Sequence, residues 1–137
     1  MSRVLIDTGP IVAILNARDI HHRWAASEFQ RMAVPLLSCD AVLSEAFFLL
    51  QRTKRGIAGL ITLLDRRVIV SDFSFNEHCE PTLKLLNRYR NLPMSLADAC
   101  LVRMAEISEG ARIFTTDKDF KIYRKSNRNV IPRISPN

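Results

Sequence analysis

The sequence predicts a three-layer α/β/α sandwich built on a central, mostly parallel sheet in one domain spanning residues 1–137. Three observations carry this expectation: short apolar runs without alternation, segments of helical period between them, and turn residues at the joints. Val4-Leu5-Ile6, Val68-Ile69-Val70 and Arg112-Ile113-Phe114-Thr115 are the strand candidates. A short apolar run of this kind suits a strand buried on both faces. Strands alternating with helices pair in parallel, because each crossover returns the chain to the same end of the sheet.

The first strand ends at Asp7, and Thr8-Gly9-Pro10 reads as a turn before a helix over Ile11 to Leu15. Between Ile20 and Met32, the residues Trp24, Ala25, Phe29 and Met32 recur at helical spacing. Ser38 and Asp40 read as caps for an apolar helix from Ala41 to Gln51, and a further helix is expected over Gly56 to Leu64. Another follows Ser74 and Asn76 and runs to about Tyr89, stopped by Asn91-Leu92-Pro93. Ser95-Leu96-Ala97-Asp98 opens the next, which Gly110 terminates. A weaker fourth strand is expected at Asn129-Val130-Ile131. From about residue 126, the chain, with Asn127, Pro132, Pro136 and Asn137, reads as a loose tail.

Composition narrows the class. A chain of 137 residues, 47% hydrophobic and 25% charged, has enough core to fold without disulfides or a structural metal. Three cysteines, Cys39, Cys79 and Cys100, form no paired motif and read as reduced thiols of a cytoplasmic protein. Asp7 interrupts the amino-terminal apolar run too early for a signal peptide, and no stretch is long enough to span a membrane. The net charge of +6 favours a polyanionic partner.

Four acids stand in telling places. Ligands of an open parallel sheet bind beyond the carboxyl ends of its strands, where Asp7 and Asp117 follow two of the expected strands. Glu45 has Ala41, Val42, Phe48 and Leu49 as its helical neighbours, which predicts a core-facing carboxylate in need of a partner or a cation. Asp98 lies in the first turn of its helix. Each has an ordinary alternative: Asp7, Asp117 and Asp119 as turn residues, Glu45 paired with an arginine, Asp98 closing a capping box with Ser95. Together, four clustered acids repel one another, and a hard divalent cation relieves that repulsion. An oxygen-only set points to Mg²⁺ or Mn²⁺ rather than zinc, and such an ion suits phosphodiester hydrolysis.

Leu5-Ile6-Asp7-Thr8, Ser44-Glu45-Ala46, Leu92-Pro93-Met94-Ser95-Leu96-Ala97-Asp98-Ala99 and Phe114-Thr115-Thr116-Asp117-Lys118-Asp119-Phe120 resemble the ordered acidic motifs of the PIN-domain ribonucleases. The VapC-type toxins of toxin–antitoxin pairs are the most similar branch, and the resemblance runs from about Val4 to Tyr123. It implies that Asp7, Glu45, Asp98 and Asp117 surround one or two Mg²⁺ or Mn²⁺ ions, with Thr8 and Thr115 orienting the acids and Asp119 as an accessory acid. It further implies hydrolysis of structured RNA, tRNA or rRNA, to 5′-phosphate and 3′-hydroxyl ends. A homodimer and a VapB-type antitoxin that crosses the site are implied as well. A non-catalytic RNA-binding or regulatory module, a nuclease of the same type not paired with an antitoxin, and a DNA nuclease remain open alternatives.

The other polar candidates are weaker. His21, His22 and His78 lack zinc spacing, Cys39 lacks the partners of a nucleophile, and Cys100 reads as a small buried hydrophobe. Two basic groups stand out, Arg52, Lys54, Arg55, Arg66 and Arg67 around one helix, and Lys118, Lys121, Arg124, Lys125 and Arg128 after the last acidic motif. The second, beside Asp117, is the better candidate for RNA phosphates, and Tyr123 reads as packing against the sheet. With four acids withdrawn into a metal site, 20 basic residues face ten acidic ones.

Overall fold

Why residues so widely separated in sequence meet at one edge follows from a sheet whose strands all run the same way. The computed structural model describes residues 3–126 and 128–136. The elements are β1 (Val4–Ile6), α1 (Thr8–Leu15), α2 (His22–Gln30), β2 (Leu36–Ser38), α3 (Asp40–Leu49), α4 (Gly56–Asp65) and β3 (Ile69–Ser71). There follow α5 (Cys79–Arg88), α6 (Leu96–Ile107), β4 (Arg112–Phe114), a 3₁₀ turn (Lys118–Lys121), β5 (Arg124–Lys125), β6 (Asn129–Val130) and β7 (Arg133–Ile134).

The main sheet has the order β3-β2-β1-β4-β7, and every neighbouring pair is parallel. In the central strand, Leu5 pairs with Leu37 on one side and Ile113 on the other. The chain moves outward from β1 to β3 and then returns to β4. Right-handed crossovers therefore place α1 to α4 on one face and α5 and α6 on the other. The packing agrees for most elements, since α1 lies against α2, α3 and α4 while α6 rests on α5, β1 and β4, but α3 also reaches α6. Leu5, Ile6, Ile11, Leu36, Leu101, Ile113 and Phe114 are fully buried. Each such side chain contributes about 1.5–3 kcal/mol on leaving water.

Several expectations change. Gly9 and Pro10 do not form a separate turn but lie in the first turn of α1, where the N–H that proline lacks has no intrahelical partner. Ser38 is not a cap. It ends β2, a strand the sequence did not announce, and its hydroxyl donates to the Ile6 carbonyl at 2.9 Å. Cys39 takes the N-cap position of α3 without a side-chain bond, and Asp40 instead accepts from the Ser71 hydroxyl.

The expected loose tail carries structure. β6 pairs antiparallel with β5 in a small separate sheet, β7 completes the main sheet beside β4, and Ile131 is buried. Met1, Ser2, Asn127 and Asn137, which belonged to the amino-terminal and tail expectations, lie outside the described residues. Among the described residues, no helix is long and apolar enough to cross a membrane.

Candidate active site

The parallel register sets Ile6 beside Phe114, so the residues that leave β1 and β4 emerge together. The Asp7 amide donates to the Phe114 carbonyl at 3.0 Å, which extends the ladder by one step into the site. Asp7 caps α1. Its Oδ1 accepts from the Thr8 amide at 2.8 Å, and its Oδ2 accepts from the Thr115 hydroxyl at 2.6 Å. Thr115 Oγ1 in turn accepts from the Asp117 amide at 2.9 Å, and Asp117 Oδ1 accepts from the Asp119 amide at 2.8 Å. One buried hydroxyl thus fixes two acids. Gly9 is needed on the same edge, because a Cβ there would collide with Thr116 Oγ1.

Asp98 reaches the cleft from the other face of the sheet. It closes a capping box with Ser95, whose hydroxyl accepts from the Asp98 amide at 3.0 Å while Asp98 Oδ2 accepts from the Ser95 amide at 3.2 Å. The same Oδ2 accepts from the Tyr123 hydroxyl at 3.2 Å. Capping and site placement are therefore compatible: both bonds fall on Oδ2, and Oδ1 remains for a cation.

Glu45 differs from expectation. It is exposed rather than core-facing, and its Oε1 accepts from the Thr8 hydroxyl at 3.0 Å. Two of the apolar neighbours that suggested burial open to solvent, with Phe48 68% and Leu49 55% exposed. The core stripe of α3 runs instead through Val42 and Ala46 to Leu50 just beyond its end.

These acids border one cleft of about 450 Å³, lined by Asp7, Thr8, Glu45, Asp98 and Asp117 together with Phe48, Leu49 and Pro93. No lysine, arginine or histidine lines it. The salt bridges among the described residues, Glu28–Arg31, Glu80–Lys84 and Arg103–Glu106, involve none of the four acids.

Burial pushes the Asp7 carboxyl up to about 7, against the lowering bonds from Thr115 and Thr8, and the charges of Asp98 and Asp117 add to the rise. Burial likewise raises Asp98 to about 6, with Asp117 contributing, while Ser95 and Tyr123 oppose it. A site whose acids resist ionising for want of positive charge fits a cation. Among the described residues, no three His, Cys, Asp or Glu side chains stand close enough to enclose an ion by themselves. Mg²⁺ does not require such a cage, since it keeps several waters and takes one or two carboxylates plus substrate phosphate oxygens. The donor set fits an open, hydrated ion of this kind.

The remaining expected residues fall outside the cleft lining. Asp119 lies in the 3₁₀ turn, and its charge is among those that raise the Tyr123 hydroxyl's pKa, after burial and Asp98. Lys118 and Lys121 are exposed, and Lys125 is half-buried on β5. Arg124 has a structural task, because its Nη1 donates to the carbonyls of Lys121, Ile122 and Tyr123 at 2.7, 3.1 and 3.1 Å. Tyr123 is fully buried, so it packs as expected and cannot stack on a base. Its bond to Asp98 had no sequence signal, because the partners are 25 residues apart. His22 Nδ1 contacts the Ala13 carbonyl at 2.6 Å, His78 stacks on Phe73, and the three cysteines are free, with Cys39 and Cys100 buried against each other.

A five-stranded parallel sheet with Asp7, Glu45, Asp98 and Asp117 lining one cleft defines an α/β protein with an acidic candidate site. The PIN domain matches residues 4–126, and the chain belongs to the PIN-domain family. The fold is also similar to that of VapC20 of Mycobacterium tuberculosis, described as a Sarcin-Ricin loop cleaving toxin. The TM-score is 0.73 at 21% identity, over 87% of this chain and 93% of that one. None of the curated proteins matches the sequence. PIN-domain nucleases generally use divalent metal ions, which agrees with the donor set of the cleft.

Proposed function

We propose that this protein is a Mg²⁺-dependent endoribonuclease, with Mn²⁺ as an alternative ion, that hydrolyses phosphodiester bonds in structured RNA. The observation that carries this is the convergence of Asp7, Glu45, Asp98 and Asp117 on one cleft without a basic side chain to neutralise them. A bound divalent ion supplies Lewis acidity toward the phosphodiester and makes water a stronger nucleophile near neutral pH. One or two of Asp7, Asp98 and Asp117 would hold it directly, with the other acids reaching it through its waters.

The chain's own groups do the positioning. Thr8 and Thr115 lock Asp7, Ser95 and Tyr123 lock Asp98, and neither rotates freely without breaking two hydrogen bonds. Glu45, exposed and lining the cleft, would hydrogen-bond water there, a role its bond to the Thr8 hydroxyl supports by orienting it. In the biological setting we assign, the protein is a cytoplasmic toxin that cuts tRNA or rRNA, forms a homodimer, and is held by a VapB-type antitoxin. The similarity to VapC20 supports this assignment.

End-group analysis of RNA incubated with and without Mg²⁺ tests the reaction. The expected products carry 5′-phosphate and 3′-hydroxyl ends and form only with the metal. Asp98→Asn is expected to lower the rate by at least about 100-fold while the chain stays folded. Metal-independent cleavage, RNA binding without cleavage, or equal cleavage of DNA would each require a different function.

A further inference from the structure

The five basic residues around α4 separate in the structure into two groups at opposite ends of that helix. Arg52, Lys54 and Arg55 occupy the connection from α3, whereas Arg66 and Arg67 lead into β3 at the amino edge of the sheet. The acids lie at the carboxyl edge. All five side chains are exposed, and among the described residues none forms a salt bridge.

Only the first group follows closely in sequence on residues that line the cleft. Phe48 and Leu49 line it, Leu49 ends α3, and Arg52 follows three residues later. That length of chain spans no more than about 11 Å. Glu45 and these cations thus lie on one continuous segment, with the acid lining the cleft and Arg52, Lys54 and Arg55 three to six residues past Leu49.

We infer that Arg52, Lys54 and Arg55 form a phosphate-binding loop that holds the RNA backbone where it leaves the acid cleft along α3. The division of charge supports it. The cleft acids repel a polyanion unless a metal is present, so the affinity for RNA must come from cations beside the cleft that no acid neutralises. Lys118, directly after Asp117, and Lys121, at the end of the same 3₁₀ turn, are exposed cations that follow the last of the cleft acids in the chain. The inference rests on the ribonuclease function proposed above and adds the side of the cleft on which the substrate is held.

The backbone supplies a matched control. Arg55 and Arg67 both have left-handed dihedrals, φ 64° and φ 59°, and stand at opposite ends of a helix of ten residues. Glycine suits both positions, so Arg55→Gly and Arg67→Gly each remove one positive charge while relieving backbone strain. Each variant is made in the Asp98→Asn chain, and binding of a fluorescein-labelled RNA stem-loop is measured across a salt series. Melting curves confirm that both remain folded.

The expected result is that Arg55→Gly weakens binding and lowers the slope of log K against log salt by about 0.7 to 0.9, the loss of one phosphate contact. Adding Arg52→Ala and Lys54→Ala lowers the slope by roughly two in total. Arg67→Gly leaves the slope of the Asp98→Asn chain unchanged. The inference is overturned if Arg55→Gly and Arg67→Gly give the same slope, which includes the case of a loop that serves an acidic protein instead. Failure of the function itself looks different: the unmodified chain does not cut RNA with Mg²⁺, or the Asp98→Asn chain has no affinity for the stem-loop.

Discussion

The Thr115 hydroxyl stands between Asp7 and Asp117, donating to Asp7 Oδ2 at 2.6 Å and accepting from the Asp117 amide at 2.9 Å. Thr115 is fully buried, so the bridge is shielded from water, and its donor side serves a carboxylate. A hydrogen bond to a charged group contributes about 1.5–3 kcal/mol. Thr115→Val keeps the shape and removes both bonds. We expect it to lower kcat/KM by roughly 10- to 100-fold. Thr115→Ser should restore most of the loss, and recovery by serine separates the hydroxyl from simple packing.

Tyr123 acts on Asp98 in a similar way from a buried position. Removing its hydroxyl withdraws a bond that favours the ionised carboxylate. Tyr123→Phe is therefore expected to raise the Asp98 pKa above about 6 and move the acidic limb of the pH–rate profile to higher pH. The stability cost should be only about 0.5–1.5 kcal/mol. An unchanged limb with a lower melting temperature would make Tyr123 a packing residue alone.

Stability of the metal-free protein should fall as pH rises. Asp7 at about 7 and Asp98 at about 6 both lie above their unfolded value of 3.8, so the folded chain holds these protons more tightly than the unfolded one. Their contribution is full below pH 3.8 and is lost progressively up to about pH 7. For Asp7 the loss is on the order of 4 kcal/mol at 1.36 kcal/mol per pH unit. Urea denaturation with chelator, followed from pH 5 to 8 at fixed salt, reads this directly. Added Mg²⁺ should stabilise the protein more at pH 8 than at pH 5, because it competes with those protons.

Glu45→Gln distinguishes an exposed carboxylate from a buried one. Since Glu45 is exposed and bonded to Thr8, neutralising it should change stability by no more than about 0.5 kcal/mol. Cleavage is expected to fall by roughly 10- to 100-fold, the scale seen when a metal's outer partners are lost. A large gain in stability instead would place the side chain in the apolar surroundings its sequence neighbours suggest.

The sequence alone determined the alternation of strand and helix, the parallel sheet, and the places of Asp7 and Asp117 after strands and of Asp98 in the first turn of a helix. These depend on local period, turn chemistry and chain direction, all written within a few residues. The Leu36–Ser38 strand was not legible, because three residues followed by Cys39 and Asp40 carry the same signal as a helix cap. β7 was hidden for a similar reason: Arg133-Ile134 becomes a strand only because β4 offers it an edge.

Only tertiary structure decided which side of α3 meets solvent, and hence that Glu45 is exposed while Val42 and Ala46 are core. It also decided that Tyr123 holds Asp98, that Thr115 joins Asp7 to Asp117, and that the basic residues around α4 stand at its opposite ends. Each of these depends on a distance between groups far apart in sequence. Local pattern fixes which way a chain runs, but the partner of a buried hydroxyl or carboxylate is set by the packing of whole elements.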